Sequence, residues 1–278
     1  MRRGRARARA AAGVLAGALV LAGCGSDVGT GKTGAGAQPR PGPTTSGAAP
    51  APTTPVPSAS GTGPGTLPTA YAFTPDPARV PHTADQARRL TRAAQLDPDS
   101  WSAGMVRHDP YDGGGDWPVL SADCAWSRAE PPATVLDSYT RRIDLPAKDG
   151  KGRVLGSVTL TVHRDAATAD ADMRDTVEQG FRCPDQDLGG GQTLRGLMSM
   201  PIPRKDVLNA DASLFESGAY TSAESDGPQK YVWTKSRIGP VVMALSVKGA
   251  RGYEIRDLLP VAAEGAAKAL YRVELELK

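Results

Sequence analysis

The sequence has few of the residues from which enzyme active sites are usually built. It contains three histidines among 278 residues, and no two stand at the spacing of a His-x-x-x-His pair, which argues against a zinc site. No Gly-x-Ser-x-Gly or Ser-x-x-Lys segment occurs, and no cysteine lies in the setting of a nucleophile. We therefore expect neither a metal nor a cofactor. A catalytic triad assembled from distant residues stays open, because triads are defined by geometry rather than by order along the chain.

The sequence also lacks an apolar run of the roughly 20 residues that a membrane-spanning helix needs. Its most apolar stretch, Ala10–Ala22, follows a segment with five arginines and no acidic residue, which is typical of a cleaved export signal. Leu21-Ala22-Gly23-Cys24 matches the bacterial lipobox, in which the cysteine is acylated by fatty acids such as palmitate. The resemblance to bacterial lipoproteins implies a signal peptide over residues 1–23 and a mature chain anchored through Cys24 to the outer face of the cell membrane.

Positive charge becomes scarce once this signal peptide is removed. The whole chain carries 33 Lys and Arg against 30 Asp and Glu, a net charge of +3, and loss of the five arginines before Cys24 leaves −2. A weakly acidic chain without a basic cluster offers no electrostatic surface for a polyanion. Nucleic acid is therefore excluded as a partner. The expected partners are the membrane, through the lipid anchor, and an unknown small-molecule or envelope ligand.

Residues 24–70 consist mostly of Gly, Ala, Pro, Thr and Ser. Such a composition buries too little apolar surface to offset the entropy that is lost on ordering. We interpret this segment as a disordered tether, rich in Pro, Gly and Thr, that follows the lipid anchor. Residues 71–278 then form a single extracytoplasmic domain, which at about 200 residues is large enough for one core.

Two cysteines, Cys124 and Cys183, lie in this domain. Outside the cell they are expected to form a disulfide, and closing a loop of about 60 residues stabilises a fold by about 4 kcal/mol in the chain-entropy model. The alternative is two free thiols or a metal-binding pair, although no histidine lies close to either cysteine in the sequence.

Helix and strand patterns alternate without a regular βαβ rhythm, which predicts an α+β fold: a mostly antiparallel sheet with helices packed on one face and one disulfide. In the clearest strand, valines and a leucine alternate with Ser157, Thr159, Thr161 and His163, so that one face is buried and the other is wet. We interpret His163 as a surface residue on this wet face. Predicted helices cover Thr83–Leu96, Asp165–Cys183 and Tyr253–Tyr271. Predicted strands cover Val119–Trp126, Thr134–Leu145, Arg153–His163, Gln192–Met200, Ser213–Ala223, Gln229–Arg237 and Pro240–Val247.

The segment Asp109–Trp117 is predicted to be a glycine-rich surface loop. Its three carboxylates could gather calcium ligands, but their spacing differs from that of an EF-hand loop. Trp101 and Trp117 flank the segment, and aromatic side chains beside flexible glycines suit the mouth of a binding site. Both are therefore candidate ligand-binding residues. The alternative is that they are half-buried packing residues.

The block Val158–Ala169, followed by an amphipathic helix that ends at Arg182-Cys183-Pro184, resembles actinobacterial surface lipoproteins and the PknH-type extracellular sensor domain of their membrane kinases. The strand Arg237–Val247 and the closing helix are similar too. The resemblance implies a sheet with packed helices around a cleft, and a non-catalytic, sensor-like role in binding a ligand outside the cell. The chain differs in having one cysteine pair where the PknH-type domain has two. Two other functions stay open, a cell-envelope enzyme whose site is assembled only in the fold and a structural lipoprotein that binds a partner in an envelope complex.

Overall fold

A computed structural model describes residues 73–202 and 209–278. The predicted signal peptide, the predicted lipidation site Cys24 and the predicted tether lie outside these described residues. The strands of the described part are numbered β1 to β10 in chain order: Val106–Gly114, Trp117–Leu120, Trp126–Ala129, Val135–Leu145, Val154–His163, Gln186–Gly189, Gln192–Ile202, Ala212–Thr221, Gln229–Ile238 and Val241–Lys248. Its helices are numbered α1 to α4: Ala84–Ala93, Pro98–Trp101, Ala166–Arg182 and Ile255–Leu277. Within the two described ranges, no helix has the length and apolar character needed to cross a membrane.

Eight strands form one antiparallel half-barrel sheet in the order β1-β4-β5-β10-β9-β8-β7-β6, and β2 and β3 form a separate hairpin. The central strands β5 and β10 pair from Val162 opposite Val241 to Leu155 opposite Lys248. The predicted α+β fold with a mostly antiparallel sheet is confirmed. The predicted disulfide is confirmed as well, since Cys124 and Cys183 are bonded with their Cα atoms 5.4 Å apart.

One face of the sheet forms the main hydrophobic core with α1, α2 and α4. From β5 this core takes the side chains that alternate with the hydroxyl residues, namely Val154, Val158, Leu160 and Val162. From α4 it takes Leu258, Ala262, Ala266, Ala269, Leu270 and Val273, which follow helical spacing. Full burial of a valine or leucine side chain stabilises a fold by about 1.5–3 kcal/mol. Helix α3 lies on the opposite face, where Ala169 and Met173 pack with Leu214 and Val242.

Trp101 lies at the centre of the main core and is 0% exposed. Its indole Nε1 donates a hydrogen bond of 2.9 Å to the carbonyl oxygen of Val261. The ring fits against Gly156 and Gly265, where an added Cβ would come within 2.8 Å and 2.5 Å of it. The two glycines therefore make the space that the indole fills.

Two of the predicted segments have a different secondary structure in the fold. The predicted loop Asp109–Trp117 is largely β1, because Asp112, Gly113 and Gly114 pair with β4 at the edge of the sheet. The predicted strand Val119–Trp126 is instead the end of β2, a turn and the start of β3. The turn arises where Cys124 adopts a φ of +61°, a left-handed conformation that interrupts a strand.

Candidate functional site

The face of the sheet that is turned away from the main core carries a strip of hydroxyl side chains. Ser157 and Ser246 meet across β5 and β10 with their oxygens 2.8 Å apart, and Ser138 and Thr161 meet across β4 and β5 at 3.0 Å. These residues occupy the alternate positions of strands whose other side chains enter the core. The strip therefore follows directly from the two-residue period of a strand.

Helix α3 and the β2–β3 hairpin cover one end of this strip. Asp165 caps α3 by accepting a hydrogen bond from the backbone N–H of Thr168 at 2.8 Å. The disulfide joins the end of α3 to the turn of the hairpin. Trp126 of the hairpin donates through Nε1 to Gln186 Oε1 at 2.7 Å. A cavity of about 610 Å³ lies between this cover and the sheet.

A charged cluster lies at the covered end of the cavity. Asp172 of α3 accepts a 2.9 Å hydrogen bond from the Lys235 ammonium group, and the same ammonium group donates to Thr176 at 2.7 Å. His163 Nε2 lies 3.3 Å from the other oxygen of Asp172. Burial alone would raise the pKa of Asp172, but the contact with His163 and the charge of Lys235 hold it below its ordinary value. The aspartate therefore stays ionised inside the cavity.

His163 differs from its predicted role as a surface residue, because it is only 2% exposed. Trp117 lies edge-on to its imidazole with the ring centroids 6.3 Å apart. The contact with Asp172 is close enough for an ion pair but lacks the geometry of a hydrogen bond, and in residues 73–202 and 209–278 neither ring nitrogen has a hydrogen-bond partner. A buried polar group of this kind is stabilised when something else in the site supplies a partner.

Glu216 lies farther along the cavity and is buried beside α3. Its carboxyl accepts a 2.6 Å hydrogen bond from Ser199 Oγ. Burial raises the pKa of Glu216, and the Ser199 hydrogen bond and the Lys235 charge only partly oppose this effect. Gly180 of α3 lies directly above the pair, and an added Cβ there would come within 2.8 Å of the carboxyl oxygen. A glycine at this position therefore allows the helix to approach the carboxyl.

The structure separates the two tryptophans proposed as ligand-binding residues. Trp117 lies on the hairpin and lines the cavity. Trp101 lies in the main core on the other side of the sheet, where it packs as a structural residue and does not line the cavity. Cys24 lies outside the described residues.

The histidines of the described residues were compared with the geometry of a catalytic triad, and the acidic, histidine and cysteine side chains with that of a metal site. His108 Nδ1 lies 2.5 Å from the buried carboxyl of Asp144, and His163 lies beside Asp172. Neither histidine contacts a serine hydroxyl within the described ranges, so the serine that a triad requires is not assembled there. The same ranges contain no group of three or more His, Cys, Asp or Glu side chains arranged to hold a metal ion.

The sequence prediction missed most of the polar residues in the cavity. Asp172, Lys235 and Glu216 lie on elements that were correctly predicted, but no short motif joins them. The available signal was the alternation of polar and apolar residues along the strands. The polar face was assumed to meet solvent, whereas α3 and the hairpin turn part of it into an interior wall.

No protein-family model and no curated protein matches the chain. Among solved structures, the extracellular domain of PknH from Mycobacterium tuberculosis is similar at 14% sequence identity and a TM-score of 0.44, over 67% of this chain and 96% of that chain. Protein PA94 of Pseudomonas aeruginosa, a protein of unknown function, is similar at 14% identity and a TM-score of 0.27, over 53% of this chain and 88% of that chain. Because one fold serves many functions, the function has to be argued from the cavity itself.

Proposed function

We propose that the protein is a non-catalytic, sensor-like lipoprotein that binds a small molecule in the cavity beneath α3, outside the cell. The observation that carries this proposal is the cavity itself, which lies between α3, the β2–β3 hairpin and the sheet and is lined at its covered end by the buried imidazole of His163.

The size and lining of the cavity support the same function. Its volume of about 610 Å³ falls within the roughly 300–1,000 Å³ of small-molecule sites, which combine apolar and aromatic walls with a few placed polar groups. Here Trp117, Trp126 and Trp233 supply aromatic walls, and the hydroxyl strip supplies the polar floor. The ionised groups at the covered end are paired with one another, as expected of groups that shape a site rather than react in it.

Ligand binding is expected to raise the melting temperature. With ligand at about 100 times its Kd the folded state gains about 2.7 kcal/mol, which for a domain of this size corresponds to a rise of about 5–10 °C. Scanning calorimetry of the purified mature chain, with and without a small-molecule extract of the cell envelope, measures this rise. The substitution Ala244→Trp, which places an indole on the cavity floor, should abolish it.

The matched control is Leu259→Trp, which adds the same indole at an exposed position on α4, on the far side of the sheet. This variant should keep the full rise. Equal rises in the two variants would show that the ligand binds elsewhere, and the absence of a rise in all three proteins would contradict the proposed function.

The proposal includes a lipid anchor at Cys24, supported by the lipobox and by the export signal before it. Intact mass of protein extracted from membranes should equal that of a chain beginning at Cys24 plus its acyl groups, palmitate among them. The substitution Cys24→Ser should abolish the added mass and the membrane attachment, whereas the neighbouring substitution Ser26→Ala should leave both unchanged. An unacylated wild-type chain would contradict this part of the proposal.

A further inference from the structure

Lys248 marks the end of the cavity that lies away from the charged cluster. It is the last residue of β10 and pairs with Leu155, whereas Val241 at the other end of β10 pairs with Val162, next to His163. Val241 and Lys248 are seven positions apart along the strand, which is roughly 23 Å at the rise of an antiparallel strand. Lys248 and His163 both line the same cavity. The site is therefore elongated along β5 and β10, with a different polar group at each end.

The ammonium group of Lys248 is held in place without a carboxylate. It lies 4.5 Å from the centre of the Tyr220 ring and donates a 3.3 Å hydrogen bond to Gln192 Oε1. Gln192 is itself fixed by a 2.9 Å hydrogen bond from the Tyr220 hydroxyl. Within the described ranges Lys248 forms no ion pair with an acidic side chain. The neighbouring Arg142 on β4 donates to the carbonyl oxygen of Pro110 and likewise forms no such ion pair there.

The charge of Lys248 is therefore not balanced by a carboxylate, although the cavity lining also includes Asp175 of α3, which is exposed. Lys235, the other lysine of the cavity, is neutralised by Asp172. Glu216 has a raised pKa, which favours its uncharged form. Burial lowers the pKa of Lys248, and the charge of Arg142 lowers it further, so both effects disfavour the ammonium ion. An anion bound at this end of the cavity would stabilise the ammonium form of Lys248 and raise its pKa again.

The walls between the two ends favour an apolar ligand body. Tyr231 and Trp233 of β9 line the cavity beside the strip, and so do Val242 and Ala244 of β10. The hydroxyls of Ser157 and Ser246 already bond to each other, as do other pairs of the strip. An apolar ligand body over such pairs leaves few polar atoms without a hydrogen bond. Unpaired hydroxyls would instead have required polar groups on the ligand.

We propose that the cavity binds an elongated organic anion, with its single acidic group (a carboxylate, sulfonate or phosphate) at Lys248 and its apolar body extending along the strip toward Trp117. This inference rests on the proposed function, because it assumes that the cavity is the ligand site. It adds the class of ligand and the residue that selects it.

A matched pair of fluorescent dyes tests this selectivity on the purified mature chain. 1-Anilinonaphthalene-8-sulfonate carries one anionic group on an aromatic body, and N-phenyl-1-naphthylamine has the same body without the sulfonate. Because hydrogen bonds to charged groups contribute about 1.5–3 kcal/mol, wild type should bind the sulfonate dye at least about tenfold more tightly. Lys248→Met, which keeps the aliphatic stem, should lose that preference and bind the uncharged dye as wild type does.

Lys151→Met is the matched control. Lys151 also lies over a tyrosine ring, 4.6 Å from the centre of Tyr253, but it lies outside the cavity lining and has Asp257 within 3.7 Å. This variant should keep the preference for the sulfonate dye. Lys248→Arg, which retains the charge, should keep most of the preference for the sulfonate dye. Melting curves of all variants report whether each one is folded.

Equal affinity of wild type for the two dyes would overturn the inference, as would a Lys248→Met variant that weakens both dyes alike. Displacement of the sulfonate dye by inorganic phosphate at the same concentration would also overturn it, because the apolar body would then contribute nothing. Failure of both dyes to bind overturns this inference. The proposed function fails separately, if the envelope extract does not raise the melting temperature of wild type.

Discussion

Replacing Trp101 by alanine is expected to lower the free energy of unfolding by about 3–5 kcal/mol, the usual cost of removing a fully buried tryptophan or phenylalanine side chain. The substitution leaves a hole between Gly156 and Gly265, and it leaves the Val261 carbonyl without its indole donor. Total stabilities of about 5–15 kcal/mol make this a large fraction of the whole. Urea unfolding followed by far-UV circular dichroism measures the change.

Trp117→Ala is the informative comparison, because Trp117 lines the cavity and is only half-buried. It should cost less stability than Trp101→Ala and should reduce the thermal shift produced by ligand. Trp101→Phe, which keeps an aromatic ring but loses the indole donor, should be intermediate in stability and should retain the ligand shift. A Trp101→Ala variant as stable as wild type would contradict the position of this indole at the centre of the core.

Removing the disulfide by the double substitution Cys124→Ala and Cys183→Ala is expected to cost about 4 kcal/mol in the chain-entropy model. The two cysteines are 59 residues apart in sequence, so the bond removes a large loop-closure entropy from the unfolded chain. For a domain of this size the loss corresponds to a fall in Tm of about 8–16 °C. Thermal unfolding of the variant and of oxidised wild type measures it.

Reduced wild type provides the control for this experiment. Adding a thiol reductant should shift wild type toward the melting temperature of the double variant and should leave the variant itself unchanged. The prediction is wrong if the reductant has no effect on wild type while the cysteines become alkylated, because the bond would then not constrain the unfolded chain.

Much of the fold could be predicted from periodicity alone. Strand β5 carries alternating apolar residues over its whole length, strands β4 and β7 to β10 each span eight or more residues, and α3 is capped by Asp165. The short strands were missed because four residues contain too few repeats to establish a period. Strand β1 was missed because its two glycines and its proline have low strand propensity, and its pairing with β4 at the sheet edge outweighs that preference.

The site could be predicted only in part, since its residues meet through tertiary contacts. Cys124 and Cys183 were identifiable as a pair because the domain contains no other cysteine. His163 and Lys235 come from different strands, and Asp172 joins them only after α3 has folded back over the sheet. Trp101 and Trp117 have equal aromatic character in the sequence. What distinguishes them is the side of the sheet on which each lies.

Strand β5 acts as a partition between two compartments of different chemistry. Its even-numbered side chains, such as Val158 and Leu160, enter the hydrophobic core shared with α4, and its odd-numbered ones, such as Thr159 and Thr161, face the cavity. Insertion or deletion of one residue would exchange the two sets, placing hydroxyls in the hydrophobic core and aliphatic groups in the cavity. Individual residues in either set can therefore be substituted. The number of residues in the strand, in contrast, is constrained by the core and the cavity together.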